Sequence, residues 1–307
     1  MLKCNDLTKK YAGGHGVHNI SMEICEHDVF ALLGPNGSGK STLIKMFTGL
    51  IWPSGGDVAI NGHDVHSEHS LALRQVGAVI EWPSFIPYLT ARQNLEVLTG
   101  ARDKNFTKKM MEMMELVKMT SRLDDKVINF STGMKQRLGL VLTLLPDSRM
   151  IILDEPANGL DPNGIMEIRK LIREINRELG ITVLLTSHLL GEVEQICDKM
   201  AIIHKGRMVA CGSIAEILEK QHIIVVIPED MAAAVNCLDH FRLRAQCPIS
   251  ALERDGEKLT LTADSDCAAD INALLFSNGV RVRSIYRETH KLESFFMKIT
   301  DGATDVE

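Results

Sequence analysis

Two regimes of hydrophobic patterning divide this chain. Up to about residue 220, short runs that are apolar almost without interruption alternate with stretches of helical periodicity. The runs at 29–33, 76–80, 150–153, 182–186 and 200–204 predict strands. Residues 151–153 and 183–185 show no polar face. That suits strands of a parallel sheet covered by helices on both sides. Between about 90 and 145 the pattern is helical, so an all-helical insert is predicted there. Its oddest piece, Lys108-Lys109-Met110-Met111-Glu112-Met113-Met114-Glu115, reads as a helix whose core is filled by flexible side chains.

Beyond residue 221 the order changes. A strand at 222–227 and a helix at 230–241 are followed by strands at 249–253 and 258–262, joined by a turn at Asp255-Gly256. A helix at 268–277 and a strand at 280–286 complete the pattern, and an amphipathic segment at 292–299 predicts a last helix. The order β-α-β-β-α-β predicts a small ferredoxin-like α+β domain. The expected division is a domain over 1–220 and an accessory domain over 221–307.

Bulk properties narrow the function. Apolar residues make up 45% of the 307, enough for two cores. The formal net charge of -6 argues against a nucleic-acid partner. No apolar run reaches the roughly 18 residues that suggest a membrane span. The start, Met1-Leu2-Lys3-Cys4-Asn5-Asp6, does not read as a secretory signal. Seven cysteines, scattered and without a C-x-x-C pair, read as reduced thiols of a cytosolic protein.

The chemistry starts at Gly34-Pro35-Asn36-Gly37-Ser38-Gly39-Lys40-Ser41, which fits the phosphate-binding pattern G-x-x-x-x-G-K-[ST]. Glycines let successive backbone N–H groups point at one anion, and a helix beginning near Lys40 adds its positive end. Lys40 can reach terminal phosphates, and the Ser41 hydroxyl can hold Mg²⁺. A strand pattern precedes this loop, and Thr42-Leu43-Ile44-Lys45-Met46-Phe47 reads as helix after it. Far downstream, Met150-Ile151-Ile152-Leu153 runs into Asp154-Glu155. A buried strand there would deliver Asp154 to Mg²⁺ and, with opposite alternation, Glu155 to an attacking water.

Three more pieces follow in order. Tyr11 lies ahead of the loop, where an aromatic ring can stack on adenine. Phe130-Ser131-Thr132-Gly133-Met134-Lys135-Gln136-Arg137 opens a helical run, and Thr186-Ser187-His188 ends an apolar strand. Together these motifs resemble the ATP-binding cassette (ABC) ATPases of membrane transporters, over about the first 220 residues. Within them the chain resembles subunits of bacitracin-resistance and lantibiotic-immunity exporters. The resemblance lies in Ser131-Thr132-Gly133-Met134-Lys135-Gln136, in Asn158-Gly159-Leu160-Asp161-Pro162 and in Leu292-Glu293-Ser294-Phe295-Phe296.

The resemblance implies an α/β P-loop sheet core with a helical insert, and a homodimer that sandwiches two ATP and two Mg²⁺. Each nucleotide would meet Tyr11 and the loop from Gly34 to Ser41 with Thr42 in one copy. It would meet Ser131 and Gly133 in the other, with Asp161 at the seam. Glu155 would activate water and His188 would touch the γ-phosphate. A separate transmembrane permease is the implied partner, placing the chain on the cytoplasmic face of the membrane. The implied function is export that protects against peptide antibiotics. The alternatives are ABC-2-type export of another drug or lipid, or a soluble ATPase without a membrane partner.

Two departures stand out. Phe130, Thr132 and Met134 replace residues of the usual Leu-Ser-Gly-Gly-Gln signature, while Ser131 and Gly133 are kept. Glu81 stands where most relatives carry glutamine, a feature similar to the lantibiotic-immunity branch. It is expected to support Mg²⁺ and coupling rather than to act as base. His63, His66 and His69 match no common zinc spacing and read as a solvated loop.

Overall fold

A computed structural model describes the chain except residues 14, 220–221, 243–247, 264–266, 289–291, 294 and 297–307. It opens with an antiparallel pair, β1 (Leu2–Lys10) and β2 (Gly16–Ile24), followed by β3 (Val29–Leu33) and α1 (Lys40–Phe47). Next come β4 (Gly55–Ile60), β5 (His63–Asp64), α2 (His69–Ala72) and β6 (Val76–Val79). Three helices follow, α3 (Ala91–Thr99), α4 (Lys104–Leu116) and α5 (Thr132–Leu144). The chain then alternates through β7 (Met150–Leu153), α6 (Pro162–Leu179), β8 (Thr182–Ser187), α7 (Leu190–Ile196), β9 (Lys199–His204), β10 (Arg207–Ser213) and α8 (Ile214–Glu219).

Two sheets organise this first unit, Met1–Gly212. The larger has the order β10-β9-β3-β8-β7-β6. From β9 through β6 its neighbours are parallel, and every residue of β3, β7 and β8 is buried. Parallel strands with polar-free sequences need cover on both faces, which is why these runs lack alternation. The smaller sheet, β2-β1-β4-β5, is antiparallel. The sequence reading did not single out β1 or β2. Bulges between Cys4 and Leu7 and between Leu7 and Lys9 break their alternation, and two thirds of β1 is polar.

The helical insert is built from local signals. Thr90 and Gln93 form a capping box at α3, Asp103 caps α4 through the Phe106 N–H, and Ser131 caps α5. Met110, Met113 and Met114 are buried on α4 with Phe106, as expected of a methionine-filled core. The last helix, α5, is locked to the large sheet. A Cβ at Gly77 of β6 would lie 2.0 Å from the Thr143 carbonyl oxygen, so only glycine permits this approach.

The second unit, Ser213–Glu307, holds β11 (His222–Pro228), α9 (Met231–Arg242), β12 (Ile249–Asp255), β13 (Lys258–Ala263), α10 (Ala268–Ser277) and β14 (Val282–Glu288). The compact division thus falls between Gly212 and Ser213, ahead of the boundary read from sequence near 220. Its strand order is β12-β13-β11-β14, antiparallel throughout. That arrangement is the β-α-β-β-α-β pattern closed into one sheet. Ile224, Val226, Leu259 and Leu261 share its core with Leu238 and Ile271. Of the helix expected at 292–299, residues 292–293 and 295–296 are helical and the other half lies outside the described residues.

Candidate active site

The site forms where the parallel strands end. Such an edge gathers the C-terminal residues of successive strands, and ligands of open α/β sheets bind there. β3 runs into the loop at Gly34, β6 ends just before Glu81, β7 delivers Asp154 and Glu155, and β8 delivers Thr186 and His188.

The phosphate loop is preformed. Gly39 has φ +114° and caps α1, and a Cβ there would lie 2.3 Å from a Val17 methyl. The Ser38 carbonyl accepts from the Gly206 N–H at 3.0 Å, tying the loop to the β9–β10 turn. Lys40 is buried and folds back, its Nζ donating to the Gly34 and Pro35 carbonyls at 2.7 and 3.1 Å. Burial pushes the Lys40 pKa down, and the negative charges of Glu155 and Asp154 pull it the other way. The Ser38 hydroxyl is buried with no hydrogen-bond partner among the described residues. A buried donor in that condition costs about 1–3 kcal/mol, which an incoming phosphate oxygen would recover. Ser41 is exposed beside Lys40 and Thr42 half-buried, one step into the helix.

Asp154 is buried, and its Oδ1 accepts the Thr186 hydroxyl at 2.6 Å. The same Thr186 oxygen accepts the Glu155 N–H at 2.8 Å. Thr186 therefore holds both acids in place, a role that the sequence reading did not assign. Its signal was present: a hydroxyl ending an apolar strand must find a partner. Glu155 corrects one expectation. It does not continue the strand alternation, because β7 stops at Leu153 and Glu155 turns to φ +50°. The turn aims its Oε2 at His188 Nδ1, 2.9 Å away. A carboxylate so held can accept a water proton while the ring fixes its direction.

Glu81 also has positive φ, +64°, and its carboxylate meets Lys45 Nζ of α1 at 3.0 Å. Both side chains are solvent-accessible, so the pair is worth under about 1 kcal/mol and leaves the acid available to a metal. The donor types suit Mg²⁺. Ser41, Asp154 and Glu81 offer hard oxygens, and an ion shared with phosphates needs only one or two carboxylates. Among the described residues no cluster of three His, Cys, Asp or Glu forms an all-protein metal cage. The three histidines at 63–69 do not lie on one solvated loop, since His63 belongs to β5, His66 is half-buried and His69 opens α2, and each has another neighbour. His63 meets Glu68, His66 packs against the Trp52 ring at a tilt of 32° and His69 meets the Val65 carbonyl.

The remaining expected residues sit apart from this network. Ser131 Oγ accepts the Met134 N–H at 3.3 Å, and Asp161 Oδ1 accepts the Gly164 N–H at 3.0 Å. Each is the N-cap of a long helix, α5 or α6. Gly133 faces Leu160, and Trp82 lies over the bare backbone of Gly159. Tyr11 is exposed, with the Lys9 ammonium 5.7 Å from its ring centre.

Known proteins are similar to this chain in sequence and fold. The family described as ABC transporter matches residues 17–158. The ABC transporter ATP-binding protein YcbN of Bacillus subtilis is 34% identical over 98% of this chain and 97% of its own length. The bacitracin transport ATP-binding protein BcrA of Bacillus licheniformis is 33% identical over 99% of this chain and 98% of its own. The dimeric structure of the bacterial ABC transporter cassette MJ0796 superposes with a TM-score of 0.62 at 25% identity, covering 70% of this chain and 99% of that one. The loop at Lys40, the paired acids and the His188 strand end thus sit in a known frame, and the chain belongs to the ABC transporter family as an ATP-hydrolysing ATP-binding subunit.

Proposed function

We propose that two copies of this chain close head to tail on two ATP, and that the cycle of closure and release drives a separate membrane permease exporting peptide antibiotics of the bacitracin or lantibiotic kind. The observation that carries the dimer is the split described above. Lys40, Asp154, Glu155 and His188 gather at one sheet edge, whereas Ser131 and Gly133 sit at the start of α5, bonded to none of them. A helix start with a hydroxyl cap and a bare glycine is a second anion seat. A second copy would bring that seat to the γ-phosphate, and the similar MJ0796 cassette is dimeric.

In this reading the loop N–H groups, Ser38 and Lys40 hold the β- and γ-phosphates, and Tyr11 stacks on the base. Ser41, Asp154 and Glu81 hold Mg²⁺, which supplies charge neutralisation between the phosphates. Glu155 takes the proton of the attacking water, and His188 keeps Glu155 and the γ-phosphate in register. Catalysis is mostly positioning and charge stabilisation. The cargo assignment draws on the likeness to BcrA, which extends across both units of this chain. Among the described residues no helix is long and apolar enough to cross a membrane, so the permease is taken to be another polypeptide on whose cytoplasmic face this subunit docks.

Subunit complementation tests the shared site. A Lys40→Ala copy and a Ser131→Asp copy are each expected to lose most turnover alone. Mixed, they form heterodimers with one intact site, and turnover returns. Mixtures that stay silent, or a monomer with full turnover, would refute joint sites. Bacitracin and lantibiotic challenge of cells with and without the gene tests the cargo.

A further inference from the structure

The helix that follows His188 is fixed by charge rather than by apolar packing alone. Glu192 of α7 is buried, its side chain 8% exposed, and its Oε1 lies 3.3 Å from Nη2 of Arg169 on α6. Arg169 Nη1 also donates to Gln195 Oε1 at 2.6 Å. Glu192 and Gln195 lie three residues apart, on one face of α7. One planar guanidinium thus grips α7 at two points, which fixes both its height and its rotation. Arg169 and Glu192 line the same small cavity as Glu155 and His188, directly behind the dyad. The Arg169 Nε is buried with no partner among the described residues. A buried Glu192 paired with a half-buried Arg169 pays for desolvation, and apolar side chains of similar volume often hold two helices together as well. Its presence therefore asks for a role other than adhesion.

We propose that Arg169 and Glu192 are positioning residues for hydrolysis: they set His188 against Glu155 and make that setting depend on the seating of α6. The helix α6 begins at Asp161, and α7 begins just after His188. The pair therefore joins the helix capped by Asp161 to the strand end that carries His188. Neither side chain touches a reacting atom; both act through the ring. The inference rests on the Glu155–His188 assignment above.

Steady-state turnover, ATP binding and melting of the full chain test it. Arg169→Met and Glu192→Gln are each expected to lower kcat about a hundredfold with KM for ATP little changed, the cost of misplacing a catalytic group by about 1 Å. Arg169→Met leaves the buried Glu192 carboxylate unpaired, so its melting will fall as well, whereas Glu192→Gln leaves the half-buried Arg169 its bond to Gln195 and should cost less. The double variant Arg169→Met/Glu192→Leu separates the effects, because it has no unpaired charge. It is expected to recover the melting temperature and not kcat. Recovery of kcat together with melting would reduce the pair to adhesion and overturn the proposal. In a His188→Ala background, Glu192→Gln is expected to cost no further turnover, and an additive second loss would also overturn it. Full turnover by Glu155→Gln and His188→Ala themselves would instead retire the dyad assignment.

Discussion

The two halves of the proposed nucleotide site are built on different principles. At the sheet edge, side chains bond to one another: Thr186 to Asp154 and to the Glu155 backbone, and Glu155 to His188. At the starts of α5 and α6, Ser131 and Asp161 bond only to their own helices, as caps. The first half is preorganised by burial and mutual hydrogen bonds, the arrangement that catalysis by fixed dipoles requires. The second is complete as local structure and incomplete as a site. Each of its residues has an ordinary helical duty, so a substitution there changes stability and chemistry together unless the cap is preserved.

That distinction orders the predictions. The largest effect falls in the bonded half: Glu155→Gln should lower ATP turnover at least about a hundredfold while retaining ATP, with closed dimers accumulating in size-exclusion profiles. Ordinary turnover would place the base elsewhere. Next comes Ser131. Ser131→Asp keeps a good N-cap, so melting should hold, yet in the proposed dimer its charge would face the partner's phosphates and turnover should collapse by about tenfold or more. Ser131→Ala should do the reverse in part, costing about 1 kcal/mol of stability. Should both variants follow melting alone, the second half would be only a pair of caps.

A middle-sized test is Thr186→Val, which keeps shape and removes the hydroxyl. It strips a bond from both Asp154 and the Glu155 N–H, so unfolding free energy should fall by about 1–3 kcal/mol in denaturant titrations. The smallest effect is expected of Glu81→Gln. Its exposed pair with Lys45 contributes under about 1 kcal/mol, so stability should not change measurably. Its Mg²⁺ dependence should shift, and unchanged ATPase with unchanged antibiotic protection would remove Glu81 from the site.

What could be read from sequence followed from locality. The strands at 29–33 and 150–153 carry their burial in their own composition, and structure places them at Val29–Leu33 and Met150–Leu153. The phosphate loop is contiguous and needs no tertiary context to be seen. Thr186 and Glu155 are 31 residues apart, and Arg169 and Gln195 26 apart, so their pairing is created by the sheet and its helices. The turn at Glu155 was hidden for another reason. Positive φ in a non-glycine residue leaves no compositional mark and is held by the surrounding packing. In β1 the bulges erased the period-two signal that would have announced a strand.

One contact makes the molecule its own optical instrument. Trp82 directly follows Glu81, is half exposed, and rests its ring over Gly159, between Asn158 and Leu160. The other indole, Trp52, packs against His66 in a different part of the same unit. A Trp52→Phe chain would therefore emit from a single fluorophore poised between the β6 loop and the turn leading into Asp161. Any movement that lifts one from the other would alter quenching and wavelength together, giving stopped-flow spectroscopy a label-free clock for motion between these two loops.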